Sequence, residues 1–114
     1  MPEFTVVIQD TTQVYDFEFF LRNTTDYNYS NLYIFLNSTA PDGSNSRKPY
    51  EIQIVDEQGQ WIGKKSGTMV ENILSFKRRK FPLKGKYTFK LELGVTEKEM
   101  TDLLDVGLRI TKVP

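Results

Sequence analysis

The sequence predicts an all-β fold, an antiparallel, jelly-roll-like β-sandwich of about eight strands with one short helix near residues 96–104. Short segments alternate between apolar and polar side chains, which is typical of half-buried strands. Turn-forming residues separate these segments at the intervals found in sandwiches. The length of 114 residues favours a single domain, 1–114, with one core. A closed barrel is the alternative.

The first two predicted strands lie close to the N-terminus. The β-branched segment 4–9 ends at a polar turn, 10–13. In the second strand, 14–22, large apolar side chains alternate with charged ones, which predicts one dry face and one wet face. Phe20 breaks this alternation. It would therefore place an aromatic ring on the open face of the sheet.

The stretch 27–36 ends in five consecutive large apolar residues, 32–36. Such a run is too short for a buried helix. We therefore expect a strand at the centre of a sheet, covered on both faces. The polar segment 37–49 contains two prolines and a glycine, and it predicts the longest loop of the domain.

The second half of the chain contains five further predicted strands. They span residues 50–54, 61–64, 73–79, 86–93 and 105–112. The segment 86–93 has the cleanest alternation. Between the last two strands, Thr96 and Glu99 have the spacing of a capping box, and this predicts the helix.

Composition narrows the range of functions. The chain contains no His and no Cys, so it lacks the usual nucleophile triads and zinc ligands. We expect no catalytic residues, no metal and no cofactor. An enzyme would need two carboxylates facing each other in a cleft. Fifteen basic residues balance fifteen acidic ones, which removes the general electrostatic argument for nucleic acid as a partner.

Four aromatic residues are candidate binding residues. Trp61, Tyr27 and Tyr29 could form a platform on which a sugar stacks, although rings in a small sandwich usually belong to the core. Phe20 marks an open face for contact with another protein. The basic run 77–80 is either a solvated strand edge or an anion-binding surface.

Several stretches occur in an order that resembles the GldH gliding-motility lipoprotein family of Bacteroidetes. They are Leu21–Thr24, Tyr29–Tyr33, Gly59–Gly63, Phe81–Phe89 and Leu104–Ile110. The resemblance implies a non-enzymatic lipoprotein on the periplasmic side of the cell envelope. It also implies a membrane anchor through an N-terminal lipidated Cys. The implied partners are other envelope proteins of the gliding and type IX secretion machinery.

The sequence departs from the family pattern in two places. The signal peptide and the lipidation Cys are missing, so we expect a chain trimmed at its N-terminus. Gly94-Val95-Thr96 stands where many members carry Met-Arg after the glycine. Two hypotheses follow from the sequence, a module that contacts other envelope proteins and a carbohydrate-binding or adhesin-like module.

Overall fold

The computed structural model describes residues 2–27, 31–94 and 103–114. Within these ranges the chain forms eight strands and no helix. The strands are β1 (Glu3–Ile8), β2 (Val14–Thr24), β3 (Asn31–Thr39), β4 (Asn45–Gln53), β5 (Lys64–Ser66), β6 (Met69–Arg79), β7 (Gly85–Leu93) and β8 (Leu103–Val113). They form two antiparallel sheets with the strand orders β1-β7-β3-β4 and β5-β6-β2-β8. The all-β sandwich predicted from the sequence is confirmed.

The core lies between the two sheets and follows the alternation of the strands. Phe19 of β2, Ile34 of β3 and Leu91 of β7 are completely buried. Phe17 stacks on Phe76 of the neighbouring strand, with ring centroids 4.9 Å apart. Because side chains on a strand alternate between faces, one apolar stripe per strand is enough to fill this layer.

The predicted loop at 37–49 is wrong. β3 continues to Thr39 and β4 begins at Asn45, so a tight turn joins them as a hairpin. In this turn Asp42 Oδ1 accepts hydrogen bonds from the backbone N–H and the hydroxyl of Ser44. β4 has a polar sequence because it lies at the edge of its sheet, where even Pro49 is tolerated.

The third strand lies inside its sheet, between β7 and β4, as expected. Its outer face is not covered, which corrects the expectation of burial on both sides. Tyr33 is 50% exposed. The ring of Phe35 lies 3.9 Å from the guanidinium carbon of Arg47, which shields it in place of a second layer of protein.

Two further predictions concern the segment before β6 and the segment after β7. The predicted strand at 61–64 begins only at Lys64, and Trp61 takes part in an isolated bridge with Val55. Of the predicted helix at 96–104, residues 96–102 lie outside the described residues, while Leu103 and Leu104 belong to β8. No helix in the described part of the chain is long and apolar enough to cross a membrane.

Candidate functional site

One side of the sandwich is bordered by β4 from the first sheet and by β6 from the second. β6 pairs with β2 along its length, but it pairs with β5 only from Met69 to Glu71. No described strand continues this second pairing beyond Glu71. The segment from Ile73 to Arg79 therefore has an unpaired edge, on which N–H and C=O groups can bind another strand.

The edge is open because the chain before β5 turns away from β6 at Gly63. The N–H of Ile62 donates to the carbonyl oxygen of Ile54 over 2.9 Å, so this residue joins the loop above the first sheet. Glycine is needed at the point of departure. A Cβ atom built on Gly63 would lie 2.2 Å from the carbonyl oxygen of Glu71.

A notch of about 320 Å³ lies where the two segments separate. We use the term notch for the depression lined by Ile52, Gln53, Ile62, Gly63, Lys64, Glu71, Asn72 and Ile73. Ile62 is 56% exposed and Ile73 is 48% exposed. Two exposed branched apolar side chains beside an unpaired strand edge form a surface suited to contact with a protein.

A buried pair of amide side chains holds β6 against β2 behind the notch. The Nδ2 atom of Asn72 donates to the carbonyl oxygen of Leu21 over 3.1 Å and to Oδ1 of Asn23 over 2.7 Å. Nδ2 of Asn23 in turn donates to the carbonyl oxygen of Thr24. Oδ1 of Asn72 is buried beside Gly63 and has no hydrogen-bond partner among the described residues. A buried acceptor without a partner costs free energy, so this part of β6 is less stable than a fully hydrogen-bonded strand would be.

Ion pairs fix the same strands on the outer face of the sheet. Arg22 of β2 donates through Nε to Glu71 of β6 at 3.0 Å and through one terminal nitrogen to Asp105 of β8 at 2.9 Å. The hydrogen bond to Asp105 and then the one to Glu71 raise the pKa of Arg22. The guanidinium therefore ties three neighbouring strands together next to the notch.

The residues predicted from the sequence do not form one surface. The ring of Phe20 is only 8% exposed and lies 4.7 Å from the guanidinium carbon of Arg109. Tyr27 is 5% exposed, and its hydroxyl donates to the carbonyl oxygen of Asn31. Trp61 is partly buried and packs against the core, while Tyr29 lies outside the described residues. The expected sugar platform therefore lacks Tyr27 as an exposed ring, and a binding role for the other residues stays a prediction.

Ile62 and Ile73 were not candidates in the sequence. Ile73 alternates with Asn72 and Leu74, which face inward, so it lies on the outer face of its sheet, where a single apolar residue does not by itself predict a binding surface. Within the described residues no group of three or more acidic side chains could hold a metal ion.

The fold and the site define a class, the small antiparallel β-sandwich domains, here with an apolar notch beside an unpaired stretch of β6. A family model described as GldH lipoprotein matches residues 1–110, so the chain belongs to the GldH lipoprotein family. A gliding motility lipoprotein GldH homolog from Christiangramia forsetii is 32% identical over 111 residues, covering 90% of this chain and 68% of that protein. No solved structure matches the chain. Membership in a lipoprotein family implies a membrane-anchored place in the cell envelope.

Proposed function

We propose that this chain is a non-enzymatic accessory domain that binds another protein of the gliding and type IX secretion machinery. It does so on the periplasmic side of the envelope, held there by an N-terminal lipid. Residues 1–114 act as one domain in this proposal, since side chains of both sheets share one core cluster. Support for the cellular role comes from the GldH family and from the name of the relative.

The unpaired edge of β6 carries the proposal for the mode of binding. An extended segment of the partner adds to β6 from Ile73 onward and continues the sheet where β5 leaves it. Main-chain hydrogen bonds along such an edge supply affinity, and pockets beside it select side chains. The notch is the pocket here, and Ile62 and Ile73 favour a partner residue with an apolar side chain.

The stretches that carry the resemblance to the family also support this surface. In Leu21–Thr24, the carbonyl oxygen of Leu21 and Oδ1 of Asn23 accept hydrogen bonds from Asn72. Gly59–Gly63 contains the residue at which the chain leaves β6. Segments far apart in the sequence thus meet behind the proposed binding edge.

A photocrosslinking amino acid at Ser75, an exposed residue of β6, tests the proposal in the native envelope. We expect an adduct with one discrete envelope protein, identified by mass spectrometry. A crosslinker at Thr5, exposed on β1, is the matched control and should give no such adduct. Equal adducts from both positions would contradict binding at β6.

A substitution in the notch distinguishes specific binding at the edge of β6 from nonspecific binding to exposed apolar residues. Ile62→Glu should reduce the adduct from position 75 about fivefold or more, since a buried apolar contact of about 1 kcal/mol is lost. Val7→Glu changes another exposed aliphatic residue, 62% exposed on β1, and should leave the adduct unchanged. The proposal fails if Ile62→Glu has no effect while the protein remains folded.

A further inference from the structure

A second depression lies near the other end of β4 and β6, between the two sheets. It has a volume of about 260 Å³, and a neighbouring cavity of about 230 Å³ shares Ser38, Ser46, Phe81 and Phe89 with it. We call the two together the groove. Lys48 on β4 is four residues from Ile52 of the notch, which corresponds to about 13 Å along a strand. The groove is therefore distinct from the notch, although Phe76 and Arg79, which line it, belong to the segment of β6 with the unpaired edge.

The floor of the groove is apolar and mainly aromatic. It is formed by Phe17, Leu36, Phe76, Phe81 and Phe89. Each of these side chains retains 5–9% exposure, whereas the centre of the core reaches 0% at Ile34 and Leu91. The floor is thus the part of the core that the two sheets do not close.

The rim of the groove is cationic. Lys48, Arg79 and Lys80 line it, and no acidic side chain does. Within the described part of the chain no ion pair involves any of these three cations. The hydroxyl-bearing residues Ser38 and Ser46 line both cavities. The groove therefore offers apolar surface at its base and uncompensated positive charge at its mouth.

A β-bulge brings Arg79 to this position. Tyr15 pairs with Arg79 and Phe17 with Phe76, so that Asp16 lies opposite both Lys77 and Arg78. Asp16 accepts a hydrogen bond from the N–H of Arg78 and lies 3.8 Å from Nζ of Lys77. One extra residue reverses the phase of the strand. Arg79 consequently faces the same side as the buried Tyr15 instead of the outer surface.

The bulge requires an unfavourable backbone conformation. Arg78 has φ +53°, the single positive value outside glycine among the described residues. Such residues cost of order 1–3 kcal/mol and cluster at functional sites. The basic run at 77–80 is accordingly divided, with Lys77 on the outer face and Arg79 and Lys80 at the groove.

We infer that the groove binds a single-chain amphiphile with one anionic headgroup, such as a fatty acid. The aromatic floor takes the apolar chain, and the three cations at the rim hold the carboxylate by charge-assisted hydrogen bonds. The volume of the larger cavity, about 260 Å³, is close to the lower limit for small-molecule sites, which is roughly 300 Å³. A volume of this size favours one alkyl chain over two.

Titration of the whole chain with sodium decanoate, followed by amide chemical shifts, tests this inference. We expect saturable shifts centred on Ser38, Ser46, Lys48 and Arg79. Decyltrimethylammonium, which has the same chain and the opposite charge, should bind at least about tenfold more weakly. Equal binding of the two amphiphiles, or an absence of decanoate shifts at these residues, would overturn the inference.

Two matched double variants test whether decanoate binding depends on the cations of the groove or on the overall charge of the protein. Lys48→Gln combined with Arg79→Gln should weaken decanoate binding about tenfold. Lys65→Gln combined with Lys86→Gln removes the same charge outside the groove and should change decanoate binding less than about twofold. Equal losses in the two double variants would show that only the overall charge matters and would refute the site.

Two more measurements exclude a surface effect. Ser46→Trp fills the groove from an exposed position without removing core packing, so it should abolish binding while leaving the unfolding midpoint unchanged. Retained binding in this variant would contradict the inference. Binding to phosphatidylglycerol vesicles without binding to monomeric decanoate would likewise overturn it, because the basic residues would then act as a membrane-attracting surface.

Discussion

Gly63→Ala should be one of the most damaging single substitutions in this domain, although it adds only one methyl group. The new Cβ atom would lie 2.2 Å from the carbonyl oxygen of Glu71, 2.9 Å from its carbonyl carbon and 2.8 Å from Oδ1 of Asn72. Glu71 cannot move aside easily, since it pairs with Arg22 on one side and with Lys64 on the other. The segment before β5 must lift instead.

The cost follows from what that movement breaks. Lifting the segment strains the hydrogen bond from Ile62 N–H to the carbonyl oxygen of Ile54, 2.9 Å long, and a lost bond costs about 0.5–1.5 kcal/mol. Overpacking against a fixed backbone adds about 1–3 kcal/mol. We therefore expect Gly63→Ala to lower the free energy of unfolding by about 2–4 kcal/mol. A typical domain has only about 5–15 kcal/mol in total.

Urea unfolding of three glycine variants tests this reasoning. Gly43→Ala places a side chain at φ +85° with open space around it, so it should cost about 1–2 kcal/mol through backbone strain alone. Gly107→Ala in β8 meets no atom within 4 Å and has no positive φ, so it should be neutral or slightly stabilising. The reasoning is refuted if Gly63→Ala costs no more than Gly107→Ala with unchanged m-values.

Three other predictions concern the core, the bulge and acid stability. Phe89→Ala should cost about 3–5 kcal/mol in denaturant unfolding, because it opens a cavity among packed rings; a cost under about 1 kcal/mol would contradict its place in the core. Arg78→Gly should raise the free energy of unfolding by about 0.5–1 kcal/mol, since relief at φ +53° outweighs the added flexibility of the unfolded chain; a loss of stability would contradict the strain. Hydrogen bonds from Ser44 lower the pKa of Asp42, and the hydrogen bond from Arg47 lowers the pKa of Glu92. These contributions are present above the unfolded pKa, about 4, and are lost as pH falls through the folded pKa. Asp42→Asn should flatten the acid limb of the unfolding midpoint plotted against pH, whereas an acid limb as steep as the wild type would exclude this origin.

Alternation in the sequence was sufficient to predict the fold class and most strands. In β2 and β7 large apolar side chains recur at every second residue, and Phe19 and Leu91 are buried as that period requires. The resemblance to the GldH family was also predicted from the sequence, and the family match confirms it.

Edge strands were harder to predict, because a strand at an edge needs little apolar surface. β4 is polar over most of its length, so the segment 37–49 was interpreted as a loop. The predicted exposure of two single residues was wrong for a related reason. Phe20 is covered by Arg109 on a neighbouring strand, and Tyr27 belongs to the buried core, so neither position follows from the local pattern.

By itself the sequence determined which side chains face inward in regular strands such as β2 and β7, because the period of two residues belongs to the backbone of a strand. Only the tertiary structure decided which strand edges stay open, where Gly63 leaves β6 and how the bulge at Arg78 turns Arg79 towards the groove. These features depend on pairing between segments distant in the chain. A one-residue change in register alters the face of every later side chain without any change in composition.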